Sequence, residues 1–326
     1  MNRAGNPPSG TGAWVRAFGS FLGERLPLGK LGGAAPERIA ILEGSGLRAF
    51  ACSLLPPEEM AYEAARLALA RSGADPASVG AVVYCTTMLT VRSAGFSYEG
   101  VNAFLERLGL DRAYPLGVFL SHCSNLVAGI RTARNLIAAE SLENVLVVST
   151  DKAGDDRHRF MKDDLSVLSD GACACLVSSS PGPFSIEGIA QHIDTGLRAV
   201  ANPIQSLKRN SDGIRAPWSS LRESLGWDAA GIRAVITGNY NLDTQQFMRL
   251  GLGMRDSQMF LENVPRNAHA FSADLLINFE DYLRLRGARR GDRFLVFGAG
   301  NERWGAVALG CREDAPDWAG GSGGMV

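Results

Sequence analysis

The sequence lacks long hydrophobic runs and has almost no net charge. No apolar stretch approaches the roughly 20 residues that cross a bilayer, and the N-terminal MNRAGNPPSGTG lacks the apolar region of a signal peptide. The formal net charge of −1 offers no electrostatic attraction for nucleic acid or for an anionic membrane surface. We therefore expect a cytoplasmic protein that binds neither a membrane nor nucleic acid.

The six cysteines include no CxxC pair, a spacing that is typical of metal and redox sites. This absence predicts a reducing compartment and no metal site. The composition, with 46% hydrophobic and 21% charged residues, is that of a soluble globular protein. A chain of 326 residues is too long for one small core, so we expect two domains or two halves of a large one.

Segments with helical and strand periodicity alternate along the chain, which predicts an α/β layered fold. The order then recurs: AVITGNY corresponds to AVVYCTT, RFLVFGAG to NVLVVST, and WGAVALGC to DGACACLV. The segment ENVPRNAHAFSADLLINFEDYLRLRG corresponds to the strand and helix around Cys123. We expect a duplicated domain, with halves at 14–180 and 181–312 and flexible termini at 1–13 and 313–326.

Cys123 is the one cysteine of the sequence at a predicted strand-to-helix junction. The apolar strand Leu116 to Leu120 runs directly into a helix whose first turn contains it. Free N–H groups and the helix dipole stabilise a thiolate at such a position, so Cys123 is a candidate nucleophile that forms a thioester. The alternative is a buried cysteine that only fills space.

At these residues the chain resembles the thiolase superfamily, and most closely the beta-ketoacyl-acyl carrier protein synthase III family. LSHCSNLVAGI is similar to the family's nucleophile segment AACSGF, SDGACACLV to its GDGAGA strand, and FGAGNERWGAVAL to its FGGGFTWGSAL segment. The resemblance covers nearly all of the chain from Trp14 to Arg312. It implies a thiolase-like duplicated five-layer α-β-α-β-α architecture.

The resemblance also implies site residues and one departure. In the family a cysteine, here Cys123, takes an acyl group from coenzyme A or a carrier protein, and a His and an Asn help to decarboxylate malonyl carrier protein. The Asn corresponds to Asn267 in PRNAHAF. The His motif PHQAN corresponds to TGNYN, which places Gly238 at the His position and Asn239, a further candidate catalytic residue, after it. His269 is the candidate substitute for proton transfer, and its alternative is a structural role.

Two further functions are implied at other positions. The backbone N–H groups of Cys123 and Gly300 are candidates for an oxyanion hole. A polar loop, PIQSLKRNSDGIRAPW, carries three cations that could meet the phosphates of coenzyme A or of a carrier protein, or could simply be solvated. They are Lys208, Arg209 and Arg215.

The leading functional hypothesis is a synthase-III-like acyltransferase of specialised metabolism, such as polyketide metabolism. An acyl-CoA or acyl carrier protein would load Cys123, and a small-molecule acceptor would then take the acyl group through oxygen, nitrogen or carbon. A Claisen-type condensing enzyme and a non-catalytic partner subunit are the alternatives. We expect no tightly bound cofactor, and we expect a homodimer whose interface is the strand NVLVVST, because an apolar edge strand invites pairing.

Overall fold

The computed structural model describes residues 12–87 and 98–314, which form eleven strands and eight helices. The strands are β1 Trp14–Leu22, β2 Glu24–Pro27, β3 Ala49–Cys52, β4 Val79–Cys85, β5 Tyr114–Val118, β6 Asn144–Asp151, β7 Gly171–Ser178, β8 Phe184–Ile193, β9 Ala234–Thr237, β10 Arg293–Gly300 and β11 Arg303–Cys311. The helices are α1 Pro36–Gly44, α2 Pro57–Ser72, α3 Tyr98–Arg107, α4 Asn125–Glu140, α5 Pro203–Leu225, α6 Leu242–Leu252, α7 Val264–Asn267 and α8 Asp274–Arg286. The termini expected to be flexible fall almost entirely at 1–11 and 315–326, outside the described residues.

Nine of the strands build two sheets that lie on either side of a helical layer, and β2 and β3 pair separately. The first has the order β5-β4-β6-β7-β1 and the second β8-β11-β10-β9, and a short pairing of β1 with β8 joins them. Helices α2 and α3 cover the outer face of the first sheet, and α5 and α6 that of the second. Helices α4 and α8 contact both sheets and fill the space between them. The thiolase-like five-layer fold predicted from the sequence is confirmed.

The second sheet has one strand fewer than the first among the described residues. In the second half, the segment that corresponds to β5 forms an isolated bridge between Val235 and Met259 in place of a strand, and the four-residue helix α7 follows. Pro265 in α7 has no N–H to donate to a strand ladder. The segment ENVPRNAHAF thus forms a turn of helix instead of a strand. The boundaries at 14–180 and 181–312 stay a prediction.

Helix α8 is fixed where the two sheets meet. Phe279 is fully buried and stacks on Phe18 of β1 at 5.3 Å between ring centroids. It also meets Phe184 of β8 and Phe294 of β10 edge-on, each at 5.1 Å. Such edge-to-face and offset contacts add to the burial of the rings. The cluster therefore holds the axis of α8, whose first residue, Asp274, belongs to the candidate site.

The strand NVLVVST is not an edge strand, which corrects the interface predicted from the sequence. It forms most of β6, which is hydrogen-bonded to β4 on one side and to β7 on the other, and all its residues are buried. The edge of the first sheet is β5, which pairs with β4 alone among the described strands. Apolarity on both faces of β6 reflects its central position between two helical layers.

The segment predicted as a polar loop is also different. PIQSLKRNSDGIRAPW forms the first four turns of α5. Asn202 caps this helix, because its side chain accepts hydrogen bonds from the N–H groups of Ile204 and Gln205, and Pro203 occupies the first helical position. Both are strong signals of a helix start. Among the described helices, none has the length and apolarity needed to cross a membrane.

Candidate active site

Cys123 lies at a sharp junction between β5 and α4. It occupies a short 3-10 turn, 122–124, directly before the first residue of α4, Asn125. The Asn125 side chain accepts a hydrogen bond from Ser121 N–H at 2.8 Å and donates one to the carbonyl of Thr86 at 3.0 Å, which fixes the turn. His122 has a φ of 49°, a strained value for a residue other than glycine. The turn thus presents Cys123, which is partly exposed, at the start of a buried helix.

The other cysteines fit the structural alternative. Cys85, Cys173 and Cys175 are fully buried on strands β4 and β7, and burial raises the pKa of each thiol. Burial also raises the pKa of Cys52, although that side chain is partly exposed. A neutral thiol is a poor nucleophile.

Cys123, His269 and Asp274 form a continuous hydrogen-bonded line. Nε2 of His269 lies 3.1 Å from Sγ of Cys123, and Nδ1 lies 2.6 Å from Oδ2 of Asp274. Both His269 and Asp274 are fully buried. Asp274 also accepts hydrogen bonds from the N–H of Ala270 at 2.9 Å and of Asn239 at 2.7 Å. The carboxylate is therefore fixed, and it orients the imidazole towards the sulfur as in a nucleophile–base–acid triad.

The protonation of His269 follows from these neighbours. Burial alone would lower the pKa of the imidazole, but the negative charges of Cys123 and Asp274 and the hydrogen bonds to both raise the pKa of His269 to about 10. At neutral pH the ring therefore carries a positive charge next to the sulfur. A cation at this distance stabilises the thiolate, which is the nucleophilic form of cysteine.

Gly238 supplies no side chain to the site, and the ring of His269 lies in the space beside it. A Cβ at position 238 would be 3.1 Å from Cε1 of His269 and 3.1 Å from Cε2 of Tyr240. The imidazole thus reaches Cys123 from the segment before α8, while the segment after β9 leaves room for it. The proton-transfer role of His269 is a prediction that this placement favours.

Asn267 and Asn239 are placed differently from His269. The Asn267 side-chain oxygen accepts a hydrogen bond from Nε of Arg25 at 2.8 Å, and its buried Nδ2 has no hydrogen-bond partner in the described part of the chain. No hydrogen bond joins Asn267 to Cys123 or to the His269 ring within those residues. Asn239 instead donates to Asp274 from its side chain at 3.1 Å as well as from its backbone. Asn239 therefore helps to fix the Asp274 carboxylate, which in turn orients His269.

The FGAG segment, residues 297–300, is the end of strand β10 and not a turn, and it packs directly against the nucleophile turn. A Cβ at Gly300 would lie 2.8 Å from the His122 Cβ and 3.2 Å from the Cys123 backbone nitrogen. A Cβ at Gly298 would lie 3.0 Å from the Ser124 Cα. Both positions need glycine because of this close approach. The oxyanion-hole role of Cys123 and Gly300 stays a prediction.

The three candidate phosphate-binding cations lie on α5 and already have acidic partners. Lys208 is paired with Asp212 at 3.0 Å, and Arg215 lies 3.6 Å from the same carboxylate. Arg209 is paired with Asp194. Contact with a donor phosphate would have to compete with these pairs, and this role stays a prediction. Within residues 12–87 and 98–314, no group of three or more His, Cys, Asp or Glu side chains could hold a metal ion.

Sequence reasoning missed Asp274. The residue stands five positions after His269 and begins α8. A carboxylate at the start of a helix reads from sequence as a favourable interaction with the helix dipole. Its contact with the imidazole depends on the irregular backbone between them, where Ala268 and Phe271 have φ values of 46° and 54°.

Comparison with known proteins agrees with the fold and with the segment around Cys123. The family model for 3-oxoacyl-[acyl-carrier-protein] synthase III matches residues 120–195. The beta-ketoacyl-[acyl-carrier-protein] synthase III of Listeria innocua is 22% identical over 266 residues, covering 77% of this chain and 82% of that protein. The solved structure of ChlB3, described as an acyltransferase, superposes with a TM-score of 0.82 at 18% identity, covering 94% of this chain and 99% of that one.

A 3-oxoacyl-[acyl-carrier-protein] synthase III structure from Aquifex aeolicus has a TM-score of 0.76 at 19% identity and covers 92% of this chain and 100% of that one. The fold is thiolase-like, and the chain is similar to the synthase III family over residues 120–195.

Proposed function

We propose that this protein is a thioester-dependent acyltransferase in which Cys123 receives the acyl group and His269 assists its transfer to a small-molecule acceptor. The observation that carries the proposal is the line from Cys123 Sγ through the His269 ring to Asp274, with contacts of 3.1 and 2.6 Å. This arrangement suits a covalent mechanism, since it activates a thiol and retains a proton-transfer group beside it.

In the loading step, the Cys123 thiolate attacks the carbonyl carbon of the donor thioester. The new S–C bond forms as the carbonyl electrons move to oxygen, where the backbone N–H groups of Cys123 and Gly300 are the proposed donors. Collapse of this intermediate breaks the bond to the pantetheine sulfur. The His269 imidazolium gives its proton to that leaving sulfur, so the acyl-enzyme forms beside a neutral imidazole.

In the transfer step, the neutral His269 acts as the base. The charge of Cys123 contributes to the raised pKa of His269, and an acylated sulfur no longer carries that charge, so the pKa of the imidazole falls in the acyl-enzyme. Nε2 can then accept the proton of an acceptor O–H or N–H as the acceptor attacks the thioester carbonyl. Expulsion of the Cys123 thiolate next to the imidazolium restores the starting pair, with all protons accounted for.

Two observations favour acyl transfer over a Claisen-type condensation. Gly238 supplies no imidazole at the position that the resemblance assigns to it, and the amide oxygen of Asn267 is occupied by Arg25. The pair of side chains expected to promote malonyl decarboxylation is thus not assembled. The name of ChlB3, an acyltransferase, is consistent with the same choice. A non-catalytic partner subunit would need neither the buried His269–Asp274 pair nor a partly exposed Cys123.

The donor is an acyl-CoA or an acyl carrier protein, and the proposal assumes no tightly bound cofactor. Lys208, Arg209 and Arg215 are candidates for the phosphate contact, by exchange of their present acidic partners. Specialised metabolism in the cytoplasm is the proposed setting, because a site without the decarboxylation His favours transfer to a special acceptor over initiation of fatty-acid synthesis.

A homodimer belongs to the same proposal, with its interface at the edge strand β5. Phe119 and Leu120 directly after β5 are 41% and 71% exposed, respectively, and they place two neighbouring apolar side chains at this edge of the sheet. Pairing of β5 with the β5 of a second copy would satisfy the unpaired edge and cover both side chains.

Intact-protein mass spectrometry after incubation with acyl-CoA and acyl carrier protein thioesters tests the proposal directly. We expect one acyl increment on the wild-type chain, none on Cys123→Ala, and loss of the increment when alcohol or amine acceptors are added. Malonyl thioester should load without release of carbon dioxide, whereas rapid release would support the condensing alternative. Labelling of Cys123→Ala at the wild-type rate would reject the proposal.

A further inference from the structure

Tyr240 stands between the two parts of the candidate site, and no role has been assigned to it above. It follows β9 and is 6% exposed. Its ring centroid lies 4.6 Å from that of His269, with the ring planes inclined by 33°. At this separation an aromatic face interacts favourably with an imidazolium, and more so when both rings are excluded from water.

The hydroxyl of Tyr240 contacts a different part of the site. It donates a hydrogen bond to the carbonyl of Ala299, in the FGAG segment at the end of β10. The next residue of that segment, Gly300, approaches the Cys123 backbone nitrogen. One side chain therefore connects the imidazole to the segment proposed to stabilise the oxyanion.

The backbone around Tyr240 is itself held firmly. Its two preceding residues make hydrogen bonds to buried groups. Asn239 donates from its N–H to Asp274 and accepts at its carbonyl from Ser166 Oγ at 2.7 Å. The Gly238 carbonyl accepts from Gln245 Nε2 at 2.6 Å. A side chain on such a support is preorganised and can restrain its neighbours.

The hydroxyl keeps its proton. Burial raises the pKa of Tyr240 well above its usual range, and the charges of Cys123 and Asp274 add to this shift. It thus acts as a donor and not as a base. The titratable groups that face the His269 ring within the described residues are Cys123, Asp274 and Tyr240, and the charge of His269 also acts on the buried Asp151.

We propose that Tyr240 is a positioning residue for both acyl loading and acyl transfer. Its ring holds the His269 imidazolium against Cys123, and its hydroxyl holds the FGAG segment in place for the oxyanion. The inference rests on the proposed acyl-transfer function. It predicts that the two roles can be separated by substitution, because Tyr240→Phe keeps the ring and removes the hydroxyl, whereas Tyr240→Leu removes both.

Two readouts separate the roles. Alkylation of Cys123 by iodoacetamide needs the thiolate–imidazolium pair but no oxyanion donor, whereas single-turnover acylation by an acyl-CoA needs both. For Tyr240→Phe we expect unchanged alkylation from pH 6 to 10 and acylation slowed about threefold to tenfold, the value of one neutral hydrogen bond. For Tyr240→Leu, alkylation at pH 7 should also fall, by about threefold to thirtyfold.

Tyr282→Phe is the matched control. Tyr282 is also 6% exposed and lies in the core near Phe260 and Phe294, away from the triad. Both of its readouts should equal those of the wild type. Thermal unfolding of every variant identifies loss of fold, and the conservative Tyr240→Phe variant keeps the test decisive if Tyr240→Leu does not fold.

The outcomes are distinct. Equal slowing of alkylation and acylation in Tyr240→Phe, or no change in either, would overturn the inference while leaving the acyltransferase proposal intact. A wild-type protein that no thioester acylates, although iodoacetamide modifies Cys123, would instead refute the proposed function. In that case the effect of Tyr240→Leu on alkylation still decides whether its ring holds the imidazolium.

Discussion

The imidazole of His269 fills the space into which a side chain at Gly238 would point. A Cβ at Gly238 would lie 3.1 Å from Cε1 and 3.3 Å from Nδ1 of the ring. Gly238 thus leaves the space that the imidazole of His269 occupies. The segment before α8 supplies the imidazole next to Cys123, and Asp274 orients it.

Gly238→Ala should disturb this arrangement without unfolding the protein. The added methyl group must displace His269 or Tyr240 by a few tenths of an ångström, which lengthens the contact with Cys123. We expect acyl transfer to fall about tenfold, since small misplacements of reacting groups are costly. Gly44→Ala is the control, because a Cβ there meets no atom within 4 Å. Steady-state acyl transfer measures the effect, and equal rates in both variants would contradict it.

Asp274→Asn should slow both chemical steps. The neutral amide cannot stabilise the imidazolium, and its NH₂ group would face the Ala270 and Asn239 donors that now bind the carboxylate. We expect acylation to fall by at least about 10²-fold, the lower end of the range for general acid–base assistance. Pre-steady-state acylation with intact-mass detection measures this. Asp243→Asn, at an exposed aspartate in the first turn of α6, provides the control, and a near-normal rate in Asp274→Asn would remove it from the mechanism.

The pH dependence of Cys123 alkylation should report the charge on His269. The pKa of His269 is raised to about 10, so in the free enzyme the ring stays protonated through neutral pH and loses its proton only as the pH rises through that value. Iodoacetamide should therefore modify Cys123 readily between pH 6 and 8. In His269→Gln no cation is present, so the rate at pH 7 should drop at least about tenfold and recover at high pH, as for an ordinary thiol.

His158→Gln is the control for that experiment, because His158 is exposed and pairs with nearby Asp155. Cys123→Ala gives the background from the remaining cysteines. If the His269→Gln profile overlays that of the wild type, the imidazolium does not activate Cys123.

The sequence was sufficient for the features that local chemistry determines. The strand and the helix on either side of Cys123 were predicted, although β5 ends at Val118 and not at Leu120, and Cys123 lies in a 3-10 turn before α4. The alternation of helical and strand segments predicted the layered fold. Asp274 was missed because its contact with His269 depends on the path of residues 268–273, where two residues adopt positive φ. The position of β6 was misjudged because a two-sided apolar strand fits the centre of a covered sheet as well as an interface.

The start of α5 was misjudged for another reason. Asn202 and Pro203 are a helix-start signal, but the Lys, Arg, Asn, Ser, Asp and Gly that follow have composition typical of a loop. The helix is stabilised by tertiary burial of Ile214, Trp218 and Leu221 against the second sheet. This tertiary contribution outweighs weak local propensity.

Phe279→Ala should be among the most destabilising substitutions in the chain. The ring is fully buried among Phe18, Phe184 and Phe294, so its removal leaves a cavity between the sheets. We expect the free energy of unfolding to fall by about 3 to 5 kcal/mol. Because α8 begins at Asp274, acylation should also slow at temperatures where the variant is folded. Denaturant unfolding measures the first effect, and a loss below about 1 kcal/mol would mean that the cluster does not hold α8.

Leu120→Lys should weaken the proposed homodimer. Leu120 follows the edge strand β5 and is 71% exposed, and a lysine at this point would place two like charges close together across a twofold interface. We expect the wild type to sediment as a dimer at micromolar concentration and Leu120→Lys to dissociate at least about tenfold more readily. Leu285→Lys, at a residue 51% exposed near the end of α8, provides the same chemical change far from β5 and should remain dimeric. Sedimentation equilibrium distinguishes these results. A monomeric wild type would refute the dimer, and equal dissociation of the two variants would place its interface elsewhere.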